Sequence, residues 1–215
     1  MKIVTLVLIA LTFSGCLKER ITANGNTLEE TRNLGDFTGI SSSGSTKVHV
    51  TYGPDYEVKL KGSSNLIENF KTNVSGNTLH FGYRHVNVHD PDVEVFITAP
   101  TIKKVRLSGS GNAYFSGNFP SRDTFDADIS GSADIYLTGT MKFNSFNADI
   151  SGSGKMNLIN LEAKNADISI SGSGDVRVTA TEKLKVRISG SGDVFFSGHP
   201  TVNSSISGSG KVTKL

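Results

Sequence analysis

The tetrapeptide Ser-Gly-Ser-Gly begins at Ser108, Ser151, Ser171, Ser189 and Ser207, and a sixth copy, Ser130-Gly131-Ser132-Ala133, loses only its last glycine. Successive copies lie 22, 21, 20, 18 and 18 residues apart. A near-constant period of this size marks stacked supersecondary units, none of which can bury its apolar face alone. The chain is therefore a repeat protein, built coil upon coil.

The flanks of each copy show what is stacked. Upstream, apolar residues fall two apart, as in Phe125, Ala127 and Ile129, in Phe146, Ala148 and Ile150, and in Leu184, Val186 and Ile188. Downstream the same spacing returns in Ala113 and Phe115, Ile135 and Leu137, Met156 and Leu158, Val176 and Val178, Val194 and Phe196. Period two means strands with one buried face. The tetrapeptide then sits at a corner between two short strands, where glycine supplies backbone angles closed to other residues and lets neighbouring rungs approach. The segments joining one coil to the next shorten from eight residues to four, and the three longer ones carry Phe119, Phe143 and Leu161. This predicts a three-sided coil that narrows to a nearly two-sided one. The expected fold is all-β: a right-handed parallel β-helix, or β-solenoid, over residues 107–215, with an irregular β cap over 36–106.

In that cap the repeat is degenerate. Ile40-Ser41-Ser42-Ser43-Gly44 looks like a worn first copy of the corner, followed by alternating Val48 and Val50. Asn65 to Phe70 predicts one helical turn, and Val74, Gly76-Asn77, Leu79 and Phe81 a hairpin. A cap is needed because open strand edges at a solenoid end invite further pairing.

Residues 1–16 are processing information. Lys2, the apolar run Ile3 to Phe13, too short to span a bilayer, and small residues before Cys16, the only cysteine, resemble a bacterial lipoprotein signal in which Cys16 is lipidated. An ordinary secretory signal with an incidental cysteine is the other reading. Residues 17–35, polar and rich in Thr, Asn and Glu, are expected to form a flexible tether. The membrane is then a partner through the lipid anchor, and the location is the cell envelope, as an outer-membrane lipoprotein facing the periplasm or the cell surface. A net charge of +2 and the lack of basic runs with interleaved aromatics argue against a nucleic-acid partner.

Leu34, Phe37 and Ile40 before the first corner, then Gly62-Ser63-Ser64-Asn65-Leu66-Ile67, Asn77-Thr78-Leu79 and Val105-Arg106-Leu107-Ser108-Gly109-Ser110-Gly111 resemble the head GIN domain family of auto-transporter adhesins. The resemblance covers about residues 34 to 213. It implies a secreted or lipid-anchored β-helix of Bacteroidetes-like bacteria with an adhesin role, and it brings no catalytic residues.

In a solenoid, equivalent outward positions stack into ladders. The downstream strands give Tyr114, Tyr136, Asn157, Arg177 and Phe195, a candidate platform for sugar rings or a peptide; the other reading is that aromatic residues simply favour exposed strand ladders. The upstream strands place Asp126, Asp128 and Asp149 together between basic residues. Oxygen-only ligands of this kind suit a calcium ion, and solvated carboxylates balanced by Arg106 and Arg187 are the alternative. His85, Asn87, His89 and Asp90 form a further candidate metal cluster that lacks a fixed ligand from elsewhere. Gly174-Asp175 and Gly192-Asp193 do not match calcium-binding nonapeptide repeats, because Asn112, Lys155 and Lys211 occupy the equivalent positions.

No nucleophile motif, phosphate loop or zinc signature accompanies these ladders, and no cofactor is expected. The expected function is a surface binding or adhesion module with a glycan or protein ligand. A polysaccharide-active β-helix enzyme and a structural, self-associating envelope component are the alternatives. Lys211 and Lys214 guard the last strands, yet an uncovered solenoid end favours a weak homodimer.

Overall fold

The computed structural model describes residues 20–84 and 86–215. Cys16 and the expected signal sequence lie outside the described residues, as does His85. The described chain is all-β apart from one short helix, Ser64–Asn69, and its stacked parallel coils form a β-solenoid.

The corners set the register. Gly109 pairs with Gly131, Gly131 with Gly152, Gly152 with Gly172, Gly172 with Gly190 and Gly190 with Gly208. Each upstream strand thus lies in register on the last, so Ile129, Ile150, Ile170 and Ile188 stack in one buried file. The period-two residues of both strands point inward as expected, with Phe115, Phe125, Phe146, Ile135, Met156 and Val176 among the buried core.

The joining segments depart from the expectation. In Lys155–Gly172 and Asp175–Gly190 they are continuous with the strands on either side, and in Met141–Gly152 with the strand that follows. Met141 pairs with Leu161, Phe143 with Ala163, and Ala163 with Ala180, all buried, so the third side of the coil is itself a short parallel ladder. Its residues shrink from phenylalanine to alanine, which tapers the coil.

The N-terminal half is more than a cap. Gly39–Gly44 pairs with Lys104–Gly109 on one edge and with Thr78–Tyr83 on the other, and Lys47–Tyr52 lies likewise between Ala113–Ser116 and Glu94–Ala99. Residues 39–52 are therefore a full coil, and the worn corner is real: Ser43 sits opposite Ser108 and Gly44 opposite Gly109. The coil outside it is built from later residues. Beyond that coil the ladders turn antiparallel: Glu57–Ser63 pairs with Glu94–Ala99, and Phe70–Ser75 with Thr78–Tyr83 across the turn at Gly76 and Asn77, both of positive φ. Leu66 and Ile67 of the helix are buried over this end.

The expected tether over 17–35 needs correction over residues 20–32, residues 17–19 lying outside the described ones. Arg20–Thr22 pairs with Asn87–His89, and Thr27–Arg32 adds an antiparallel strand to Glu57–Ser63. Asn65 Nδ2 donates to Thr22 O at 2.8 Å, and the Gly25 N–H donates to Ser63 Oγ at 3.1 Å. A polar composition here reflects a strand at the sheet edge with one side in water, not an unstructured linker.

Gly152 has a φ of 131°, and a Cβ there would collide with the carbonyl oxygen of Gly131. Both facts exclude a β-branched side chain. Gly152→Val is expected to abolish the cooperative thermal transition followed by circular dichroism; a melt like that of the wild type would show that the corners tolerate side chains.

Candidate functional site

The downstream strands carry the outward ladder in register: Tyr114 opposite Tyr136, Tyr136 opposite Asn157, Asn157 opposite Arg177, and Arg177 opposite Phe195. Strand pairing brings all five residues of the expected ladder into one file. The rings do more than align. Tyr114 and Tyr136 stack with centroids 5.3 Å apart and planes within 8° of parallel. At the other end of the ladder the Arg177 guanidinium lies over the Phe195 ring, 4.9 Å from its centroid.

Two members of the file escape a reading of the repeat alone. His49 pairs with Tyr114, and Phe96 with His49. His49 stacks on Tyr114 at 5.3 Å and on Phe96 at 4.7 Å, giving four rings in an unbroken stack, Phe96, His49, Tyr114 and Tyr136. Aligning the worn corner Ser43-Gly44 on Ser108-Gly109 carries His49 onto Tyr114, so this signal was available. Phe96 follows no Ser-Gly corner and had none. Each such ring pair contributes about 0.5–1.5 kcal/mol beyond its buried area. Glu94 fixes the imidazole, with Oε2 3.1 Å from His49 Nε2 and Oε1 3.3 Å from Lys47 Nζ.

A second file beside the rings also has a role. Asn112 Oδ1 accepts the Asp134 N–H at 3.0 Å, Asp134 Oδ1 accepts the Lys155 N–H at 2.9 Å, Asp175 Oδ1 accepts the Asp193 N–H at 3.2 Å, and Asp193 Oδ1 accepts the Lys211 N–H at 2.8 Å. The carboxylates after Gly174 and Gly192 thus satisfy backbone donors on the next rung. This is structural work, consistent with rejecting the calcium-repeat reading.

The acidic cluster does not assemble as a metal centre. Asp128 is held by Arg106, with Nε at 3.1 Å and Nη2 at 3.0 Å, and Asp126 accepts Asn147 Nδ2 at 2.8 Å. Asp167 receives Arg187 Nη2 at 2.8 Å. Among the described residues no three His, Cys, Asp or Glu side chains gather as a metal site. The physical reason is register: Asp126 and Asp128 each find an amide or a cation one rung away, and Asp149, opposite Asp128, adds only a second carboxylate. His89 Nδ1 lies 2.8 Å from Asp90 Oδ2. An open groove of about 550 Å³ runs along this ladder, walled by Asp128, Asp149, Ser130, Ser151, Ser171 and Ser189, with the buried isoleucine file beneath it.

A β-solenoid whose most organised surface feature is a file of stacked rings belongs to the class of scaffolds that present an ordered outer face. The chain belongs to the head GIN domain family: the family model described as "Putative auto-transporter adhesin, head GIN domain" matches residues 36–200. No curated protein matches the sequence. Among solved structures, a "putative adhesin" from Bacteroides fragilis is similar at 19% identity and a TM-score of 0.70, over 91% of this chain and 100% of that one. A "putative lipid binding protein" from Parabacteroides distasonis is similar at 20% identity and a TM-score of 0.65, over 92% and 100%. A "putative adhesin" from Parabacteroides merdae is similar at 17% identity and a TM-score of 0.57, over 92% and 99%. At these identities the likeness shows the fold alone.

Asp134 also accepts the Tyr136 hydroxyl through Oδ2 at 2.9 Å. This hydrogen bond, with partial burial and the nearby carboxylate charge, raises the Tyr136 phenol above its ordinary 10.0. A raised folded value favours the protonated phenol. Its contribution to stability is complete below the unfolded value and is lost as pH rises through the folded one. In alkaline titration by ultraviolet absorbance, the difference between the wild type and Tyr136→Phe is expected to show the Tyr136 phenol titrating high and moving down in Asp134→Asn; an unmoved value would remove the coupling.

Proposed function

We propose that this protein is a lipid-anchored module of the cell envelope that binds a glycan or matrix ligand, without catalysis, through the outward ladder running from Phe96 to Phe195. The observation that carries this reading is the four-ring stack, continued by Asn157, Arg177 and Phe195 on a single flat side of the solenoid. Rings held by their neighbours offer contact area at little cost in side-chain entropy, which favours binding. The family's adhesin description and the names of two structural neighbours support a surface role, and Cys16 supports the anchor. The Parabacteroides distasonis neighbour's name brings lipid as a rival ligand, whose place here would be the open groove between the serine and aspartate files.

Solid-phase binding of the mature chain to a glycan array, to matrix proteins and to phosphatidylcholine vesicles tests the reading, with release of reducing ends measured alongside. Glycan or matrix binding is expected, reduced at least about tenfold in Tyr114→Ala/Tyr136→Ala with an unchanged circular dichroism spectrum, the loss that follows removal of interface hot spots. Binding to vesicles alone, binding indifferent to the double variant, or cleavage of a polysaccharide would each overturn it.

We further propose a weak homodimer through the last rung. Thr201–Gly208 and Val212–Lys214 are each paired on one edge only among the described residues, and Val202 and Ile206 are 40% and 41% exposed, unlike their buried equivalents Leu184 and Ile188. An apolar edge of this kind favours pairing with a second copy. Sedimentation across a concentration series is expected to show a dimer that Ile206→Asp or Val212→Asp dissociates. A monomer at all concentrations, or a dimer unaffected by both variants, places no contact there.

A further inference from the structure

The two files on the outer face of the downstream strands are interrupted at the same rung. In the ring file, Asn157 follows Tyr136 and supplies no ring. In the neighbouring file Lys155 follows Asp134 and has no oxygen to offer, so the Asp175 N–H donates instead to Gly154 O at 3.3 Å. One rung thus breaks both patterns. The double interruption leaves a notch of about 230 Å³ lined by Tyr136, Lys155, Met156, Asn157, Asp175 and Arg177.

The notch has two planar walls. One is the Tyr136 ring, whose opposite face is covered by Tyr114. The other is the Arg177 guanidinium, backed by Phe195. They stand two rungs apart, about 9.6 Å, so a ring placed midway lies about 4.8 Å from each. The rim is polar: the Asn157 amide offers a donor and an acceptor, and Lys155 Nζ lies 3.4 Å from Asp175 Oδ2.

We propose that this notch, taken as part of the binding face argued above, is a subsite for one pyranose ring of a glycan. A flat aromatic ring is thinner than the space between the walls, whereas a pyranose carries axial C–H bonds on both faces and fills it, with one C–H face on Tyr136. Its equatorial hydroxyls both donate and accept, which matches an amide, an ammonium and a carboxylate around the rim better than it matches a hydrocarbon edge. The volume also suits a single substituted six-membered ring, since a cavity of roughly 150 Å³ takes a benzene. Both walls are already held by partners, so the ligand orders little on entry.

Asn157→Tyr gives a sharp test, because the new ring would continue the stack and close the notch without disturbing the core. Methyl β-D-glucopyranoside and methyl β-D-galactopyranoside are the probes, titrated into the full mature chain by saturation-transfer NMR, with N-acetyl-phenylalaninamide as the aromatic alternative. Saturable binding of at least one glycoside is expected, with the strongest transfer to its ring C–H protons. Affinity should fall at least about tenfold in Asn157→Tyr, whose melting temperature stays at or above that of the wild type, and in Arg177→Ala, as for loss of a buried contact. Wild-type affinity in folded Asn157→Tyr overturns the proposal, as does binding of the aromatic amide with neither glycoside, or no saturable glycoside binding. If the solid-phase assay depends on Tyr114 and Tyr136 but Asn157→Tyr binds normally there, the subsite fails while the surface-binding reading stands.

Discussion

The carbonyl oxygen of each corner glycine is the fixed point of this structure. Gly131 O accepts the Ser153 N–H at 2.9 Å, Gly152 O accepts the Ser173 N–H at 2.9 Å, and the same bond recurs to Ser191 and Ser209. The oxygen occupies the space a Cβ on the next rung's glycine would need. Glycine is thus required by the hydrogen-bond column as well as by the turn. A column that repeats without slippage holds the strands on both sides in register, and register turns isolated residues into files.

The isoleucine file and the ladder from Tyr114 to Phe195 were legible in the sequence for this reason: an offset counted from one corner to the next also pairs every residue near it. Where no corner exists, the count fails. Phe96 lies on a rung without the tetrapeptide, and that rung stacks outside residues 39–52 although it follows them in the chain. The strand character of the third side is less legible although Lys142, Asn144, Glu162 and Lys164 alternate with the buried Met141, Phe143, Leu161 and Ala163, because the joining segments change length from coil to coil and an offset counted from the corners no longer pairs them. Residues 20–32 were misread for another reason, since an edge strand with one side in water has a linker's composition.

The candidate site shows why a ladder needs more than residue types to be interpreted. Four stacked rings spend most of their faces on one another, so the stack is as much a stabilising feature as a platform. What remains open to a partner is the edge of the stack and the place where it stops. Tyr136 has one covered face and one facing Asn157, and that asymmetry arises from a single rung that is neither aromatic nor acidic. The acidic residues illustrate the opposite case, since Asp126 and Asp128 are consumed by Asn147 and Arg106 before they can act together.

The out-of-order coil at residues 39–52 has a consequence for assembly. Its two neighbours come from residues 78–99 on one side and 104–116 on the other, so during synthesis both edges stand unpaired until the first segment is made and one edge until the second is. A solenoid laid down in chain order could grow one coil at a time from its N-terminus. Here the earliest coil is a keystone inserted between later stones. Closing those loops costs entropy that only the finished clamp returns, which makes the N-terminal part of the stack a single cooperative unit and not a series of separable repeats.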